Sequence, residues 1–276
     1  MKKILVPTDF SEHAENALKI AAQLAKKYNG EIYLLHMIEL PVDMTNPVGG
    51  TRTSDLPEAL YFMKLAKKRF SEVLNSPYLE GLTVHETVQF HQAFDGIMEI
   101  SKKYNCDFIV MGSQGATGFK EMFVGSNTEK VVRTSEIPVL VVKNDRPNFK
   151  INNFVFATNL SPESKNALKQ AIEFATLMDA KLHLVFVNTA NEFQTSIDTD
   201  NNLKKYLEGS SFNNYEFHVH NDSSVENGIL NFAKKINADL VGMATHGRKG
   251  LSHFFNGSIS EDLVNHANIP VVTFRI

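Results

Sequence analysis

The sequence predicts an α/β fold built twice over: two tandem open five-stranded parallel sheets, each with helices on both faces. Three observations carry this reading. Strand-like and helix-like segments alternate along the chain, as βα units do. Several strand-like segments are nearly continuous apolar runs, the pattern of parallel strands covered on both sides. The chain also repeats itself, because Gly115, Gly118, Phe123, Gly125, Ser126, Glu129 and Val132 recur as Gly247, Gly250, Phe255, Gly257, Ser258, Glu261 and Val264, each displaced by 132 positions.

In repeat one the order opens with strand KILVP and a helix across Ala14 to Lys27, which puts Ala14, Leu18, Ala21, Ala22 and Ala25 on one face. Strand EIYLLHMI, a helix around Ala59 to Leu74 and strand TVHETVQ follow. A helix across Phe94 to Tyr104 shows Ile97, Met98, Ser101 and Tyr104 on one face, and strand DFIVM comes next. A helix from Ser126 and strand PVLVV close the repeat. The second copy starts at ATNLSPESKNALKQAIEFA, which matches PTDFSEHAENALKIAAQLA with Thr8, Ser11, Asn16, Ala17, Leu18 and Lys19 recurring 150 positions on. The displacement falls from 150 to 132, so repeat one carries 18 extra residues, assigned to the Pro/Gly/Thr-containing stretch around Pro41 to Pro57, expected to be a mobile loop. Residues Asn144 to Asn148 form a polar, proline-broken link and set the expected domains at 1–146 and 150–276. The apolar last strands PVLVV and PVVTF are expected to pair, joining the two domains within the chain and covering a sheet edge.

At 276 residues the chain has room for two domains of roughly 140 residues, each able to bury a core. A net charge of −3, with no basic cluster interleaved with aromatics, argues against nucleic acid as a partner. No apolar stretch reaches the ~18 residues of a membrane span, and MKKILVPTDF turns polar too early for a signal peptide. A cytoplasmic protein is expected. The single cysteine, Cys106, permits no intrachain disulfide and is expected to be structural.

The segment IVMGSQGATGFKEMFVGSNTEKVV reads as strand, glycine loop, helix start. Glycine lets the backbone approach a ligand closely, and a helix N-terminus offers unpaired N–H groups and partial positive charge, so the segment predicts an anion site. In an open parallel sheet the ligand sits at the carboxyl edge where strand order reverses. Asp9 lies just past strand one and Gly112 just past strand four, so the two flank one crevice if those strands are neighbours.

Spaced as G-x2-G-x9-G-[S/T], Gly112, Gly115, Gly125 and Ser126 match the ATP-binding signature of the universal stress protein family. Together with PTD, HMI and IPVLVV, and with its repetition, this motif makes the chain resemble a tandem member of that family. The resemblance implies a Rossmann-like, adenine nucleotide alpha hydrolase-like fold and an adenine nucleotide ligand, ATP or else AMP or ADP, with or without Mg2+. It further implies that backbone atoms of Met37 bond the adenine edge, that Pro7, Thr8 and Met111 line its pocket, and that Asp9 accepts from the ribose. The N–H groups of Gly112, Gly115, Gly125, Ser126 and Asn127 would hold the phosphates. In repeat two the matching residues are Thr158, Asn159, Val187, Ala244, Gly247, Gly257 and Ser258, a degenerate and weaker site: Asn159 replaces Asp9 and Ala244 replaces Gly112. Phe90 and His91 also stand where the family usually has glycine, and would crowd the ribose.

Plainer readings stand beside these. Ser126 and Ser258 have the S-x-x-E spacing of a capping box with Glu129 and Glu261, so each serine caps its helix, contacts phosphate, or both. Asp9 is either a turn-former or a ligand contact. His218 and His220 alternate on a strand-like stretch, with His183 on another, but no partner carboxylate stands at a recognisable spacing; solvent-facing histidines and no metal site are expected. Three function classes follow: a nucleotide-dependent regulatory or stress-response factor, a slow ATPase or autophosphorylating enzyme, and a scaffold that binds no nucleotide. No catalytic residue is assigned, since neither a Walker lysine nor an acidic metal pair is present. A homo-oligomer beyond the fused pair is left open.

Overall fold

A computed structural model of the chain describes residues 1–38, 55–90, 92–114, 125–245 and 257–276. The first half runs β1 (Lys3–Thr8), α1 (Glu12–Tyr28), β2 (Glu31–Met37), α2 (Asp55–Leu74), β3 (Val84–Gln89), α3 (Ala93–Lys103), β4 (Phe108–Gly112), α4 (Ser126–Thr134) and β5 (Val139–Val142). The second repeats it as β6 (Asn153–Ala157), α5 (Lys165–Met178), β7 (Lys181–Asn188), α6 (Ser196–Tyr206), β8 (Tyr215–Asn221), α7 (Val225–Lys235), β9 (Leu240–Thr245), α8 (Gly257–His266) and β10 (Val271–Arg275). Most of the stretch assigned to the inserted loop, residues 39–54, lies outside the described residues, and its last part is helical because α2 begins at Asp55.

Local chemistry accounts for the elements. Ser11 caps α1, its side chain accepting from Ala14 N–H, and Asn29 ends the helix in the left-handed conformation. The alanine-rich face of α1 is buried, including Ala14, Ala17, Ala21, Ala22 and Ala25. Small residues there let the helix lie close on β4 and β1. The central strands β4, β5 and β9 are buried along their length, whereas β3 and β8, at the two edges, alternate toward exposure.

The two expected five-stranded parallel sheets form and join edge to edge. All ten strands make one sheet in the order β3-β2-β1-β4-β5-β10-β9-β6-β7-β8. Every neighbouring pair is parallel except the central one, where β10 runs antiparallel to β5 with Val271 opposite Val141, Val272 opposite Leu140 and Thr273 opposite Val139. The expected contact between the last strands is thus present, and its hydrogen bonds fuse the sheets. The order reads identically inward from each edge, as two copies related by a twofold axis at the seam. Both layers of the core cross that seam. On one face Phe108 stacks on Phe174 at 5.7 Å and the Tyr28 hydroxyl donates to Leu177 C=O at 2.6 Å. The other face gathers Val131, Val132, Leu263 and Val264 into one cluster. No helix among the described residues is long and apolar enough to cross a membrane.

Candidate functional site

β1 and β4 are neighbours, with Ile4 opposite Phe108 and Leu5 opposite Ile109. Strand order reverses between them, and a cleft of about 380 Å³ opens at their carboxyl ends. Its walls include Pro7, Thr8, Asp9, Met37, Met111, Gly112, Gly125, Ser126 and Asn127. The fold therefore brings together every residue assigned to the first site that is described. Gly115, like Gly247 in the second half, lies outside the described residues.

The β1 end of the cleft is a tight turn. Phe10 adopts positive φ (62°), its N–H bonded to Thr8 Oγ1 at 3.0 Å, and Ser11 N–H donates to Asp9 Oδ1 at 3.0 Å. Asp9 is thus a turn-former and a cleft wall at once. His36 Nδ1 lies 2.8 Å from Thr8 C=O and ties the strand ends together. Met37 lies one residue beyond the last β1–β2 pair, Thr8 with His36. Its side chain packs on α3, where a Cβ added to Gly96 would stand 2.2 Å from Met37 Cε. Gly96 was not singled out from sequence, although its recurrence as Gly228 inside both helices was the available signal: there a Cβ would meet Val187 Cγ1 at 2.4 Å.

Gly112 has a different reason from the one expected. A Cβ here would point not toward a phosphate but into the first turn of α1, 2.8 Å from His13 C and 2.9 Å from His13 O. This is the close helix–strand approach that glycine permits in nucleotide-binding α/β folds. Nor does either described glycine of the motif need positive φ: Gly125 has φ −61°, and Gly112 is not among the positive-φ residues.

The capping-box reading of Ser126 is overturned. Gly125 is the N-cap of α4 and has no side chain to cap with, so Ser126 is the first helical residue, exposed at the cleft. Ser258 likewise lies inside α8, which begins at Gly257. An uncapped N-terminus leaves its first N–H groups and positive dipole end toward the cleft. The loop is held from below: Gly125 N–H donates to Ser113 C=O at 2.8 Å, and the buried Thr128 hydroxyl donates to Gly112 C=O at 3.0 Å. Phe90 is not among the described cleft walls, and His91 is outside the described residues.

The second half copies the turn, and the described pocket beside it is narrow. Leu160 has φ 58°, its N–H bonds Thr158 Oγ1, and Ser161 N–H bonds Asn159 Oδ1, each at 3.0 Å, so the amide makes the same turn as Asp9. Yet the pocket beside Thr158, Asn159 and Val187 is only about 20 Å³, room for about one or two waters. Thr158, Val187 and Ala244 are buried. The loop after β7 folds back through a two-way bond between Asn188 and Gln194 and carries Glu192 to the pocket wall. Burial pushes the Glu192 carboxyl above its usual range. Glu192 has no counterpart in the repeat alignment, so the sequence offered no signal for it. Opposite Ala244, the counterparts of His13 and Ala14 are Glu163 and Ser164, which lie in a 3₁₀ turn rather than an α-helix.

The histidines are not simply solvent-facing. His183 is 6 % exposed and its Nδ1 lies 3.2 Å from His218 Nε2. Cys106 is buried, and that burial, with Asp107 beside it, pushes its thiol up to about 11, as a structural cysteine should be.

Comparison with known proteins agrees with this geometry. The sequence profile of the universal stress protein family matches residues 1–143 and again 150–275. A universal stress protein of Synechocystis sp. is 25 % identical over 295 aligned positions covering 100 % of both chains. Another, of Methanocaldococcus jannaschii, is 32 % identical over 149 positions, covering 51 % of this chain and 82 % of its own. The crystal structure of a universal stress protein from Archaeoglobus fulgidus superposes with a TM-score of 0.77 over 99 % of this chain and 98 % of that one, at 24 % identity, a likeness of fold.

Proposed function

The chain belongs to the universal stress protein family, and from that premise we propose that its first domain, residues 1–146, binds an adenine nucleotide, foremost ATP. The nucleotide state of that cleft then sets the conformation or partner choice of the chain in a cytoplasmic stress response. The supporting observation is the cleft itself. Its volume of about 380 Å³ falls in the range of about 300–1,000 Å³ typical of small-molecule sites, and it combines an uncapped helix N-terminus with apolar walls. Pro7, Thr8, Met37 and Met111 take the base, with Met37 offering backbone atoms past the end of β1. Asp9 accepts from the ribose. Backbone N–H groups of Gly112, Gly115, Gly125, Ser126 and Asn127 hold the phosphates, with Ser126 Oγ as an added donor.

Regulation is favoured over turnover by the chemistry of the walls. Among the described cleft residues Asp9 is the one carboxylate and none is lysine or arginine. A positioned base, a phosphate-bridging cation and an acidic pair for Mg2+ are the usual parts of fast phosphoryl transfer. Mg2+ in this reading arrives on the nucleotide, since a single carboxylate and three hydroxyls, Thr8, Ser126 and Thr128, make no dedicated cage. The second domain, residues 150–276, with Thr158, Asn159, Val187, Ala244, Gly247, Gly257 and Ser258, is a much weaker site.

Purified full-length protein should release an adenine nucleotide identifiable by mass spectrometry, and the stripped chain should take up about one ATP by calorimetry. Absence of both retention and uptake would transfer the chain to the scaffold class. Rapid ADP release on incubation would make it an enzyme.

A further inference from the structure

We propose that the second domain carries a divalent transition-metal site, of the kind that takes Zn2+, formed by His183 of β7 with Glu216 and His218 of β8. The three ligand atoms already converge. His183 Nδ1 lies 3.2 Å from His218 Nε2, and Glu216 Oε2 lies 3.7 Å from the first and 3.6 Å from the second. A tetrahedral ion bound by nitrogen and oxygen at about 2.0–2.1 Å holds its ligand atoms about 3.3 Å apart, so small side-chain rotations suffice to close the set. Two imidazoles and a carboxylate suit zinc and its neighbours rather than Mg2+ or Ca2+.

The surroundings orient each ligand. β7 and β8 pair in parallel with His183 opposite Glu216 and Val185 opposite His218, which places all three side chains on one face. On its far side His183 Nε2 lies 3.3 Å from Asn153 Oδ1; an N–H there fixes the tautomer that leaves a lone pair on Nδ1, the outer-shell arrangement usual for metal-binding histidine. Lys181 holds the other carboxylate oxygen of Glu216, leaving Oε2 toward the rings. His218 packs on Phe232 at 4.7 Å. Glu216 is exposed, so the fourth position faces solvent and is open to water or an external ligand. The first half has no such set: at the positions of Lys181, His183, Glu216 and His218 stand Glu31, Tyr33, His85 and Thr87.

The ion would clamp edge strand β8, whose one neighbour is β7, to the rest of the sheet. The test uses the full-length chain, freed of metal by EDTA and of nucleotide by charcoal, so it does not depend on the nucleotide reading. Equilibrium dialysis against ZnCl2 should find one bound Zn2+ per chain, and Co2+ should give the strong visible absorption of a tetrahedral site. Glu216→Gln and His218→Gln should each weaken Zn2+ binding at least about tenfold, while His85→Gln, which breaks a His–Glu pair in the first half, leaves it unchanged. These side chains are exposed or partly so, and the folded variants decide the matter even if His183→Gln does not fold. Failure of the wild-type chain to bind Zn2+, or wild-type binding by both variants, overturns the proposal.

Discussion

The residues beside Asp9 and those beside Asn159 share a turn, a hydrogen-bond pattern and a place in the strand order, yet the cleft next to Asp9 measures about 380 Å³ and runs on to the α4 N-terminus, whereas the described pocket next to Asn159 measures about 20 Å³ and is walled by Val187 and Glu192. The lesson is that a frame and its cavity are set by different residues. Thr8 and Thr158, Asp9 and Asn159, and Phe10 and Leu160 reproduce the frame to within 4° of φ at the left-handed residue (62° against 58°). What differs is what stands around it: Val187 for Met37, Phe186 for His36, and the short loop that brings in Glu192. A substitution that looks decisive, Asp to Asn, leaves the backbone untouched and removes only charge.

The comparison breaks most directly through ligand stoichiometry. We expect one tight ATP site per chain, with Asp9→Asn lowering affinity about tenfold or more, the cost of a hydrogen bond to a charged group being about 1.5–3 kcal/mol. Asn159→Asp should create no second tight site, because the pocket beside Asn159 is also narrowed by Val187 and Glu192. Two equal sites by calorimetry, or a new site in Asn159→Asp, would show that the clefts are equivalent after all.

A second contrast concerns Gly112 and Ala244. Gly112→Ala should destabilise the chain by about 1–3 kcal/mol, the usual cost of forcing a carbon into a packed contact, whereas Ala244→Gly should cost no more than about 1 kcal/mol. Urea unfolding of the pair decides it, and equal effects would mean the α1 turn yields as readily as the 3₁₀ turn opposite.

Smaller effects sharpen the picture. Ser126→Ala should weaken ATP binding by about 1 kcal/mol, one neutral hydrogen bond, without lowering the melting temperature, because Gly125 occupies the cap position; a parallel loss of stability would restore the capping role. Least of all, Glu192→Gln should slightly stabilise the chain near neutral pH. The Glu192 carboxyl is raised from 4.5 by burial, so the native state favours its protonated form. The wild type's relative stability is then full below that value and lost as pH rises through the raised one. The gain from glutamine should vanish in acid, and a gain independent of pH would assign the effect to packing.

Much of the fold was legible because it is written in apolar runs and repetition. Strands β1, β4 and β5 announced themselves as continuous hydrophobic stretches, and PVLVV with PVVTF marked the seam. What the sequence could not supply was the register of that seam, antiparallel with Val271 opposite Val141. At the site, the described residues assigned from the motif do converge, but the reasons for them shifted. Gly112 looked like a glycine required by the phosphate because sequence gives spacing and not the direction of a missing Cβ; that direction depends on where α1 docks, and it is the α1 turn that requires the glycine. The S-x-x-E spacing of Ser126 and Glu129 suited a cap as well as a phosphate contact, and the backbone decides between them by starting the helix one residue earlier, with Gly125 at the cap. The cluster at His183 escaped because its carboxylate, Glu216, precedes His218 on the same strand while the third ligand comes from β7, and only the register joins them.

The antiparallel seam between β5 and β10 has one more consequence. Were the two halves separate identical chains pairing across that edge, every substitution would appear twice, once in each cleft. A peptide link through residues 143–152 lifts that degeneracy. Each half becomes free to inherit its own changes, while assembly no longer depends on protein concentration. The antiparallel join also points the carboxyl ends of β4 and β9 in opposite directions. The carboxyl edges of the two halves therefore face opposite ways within one ten-stranded sheet.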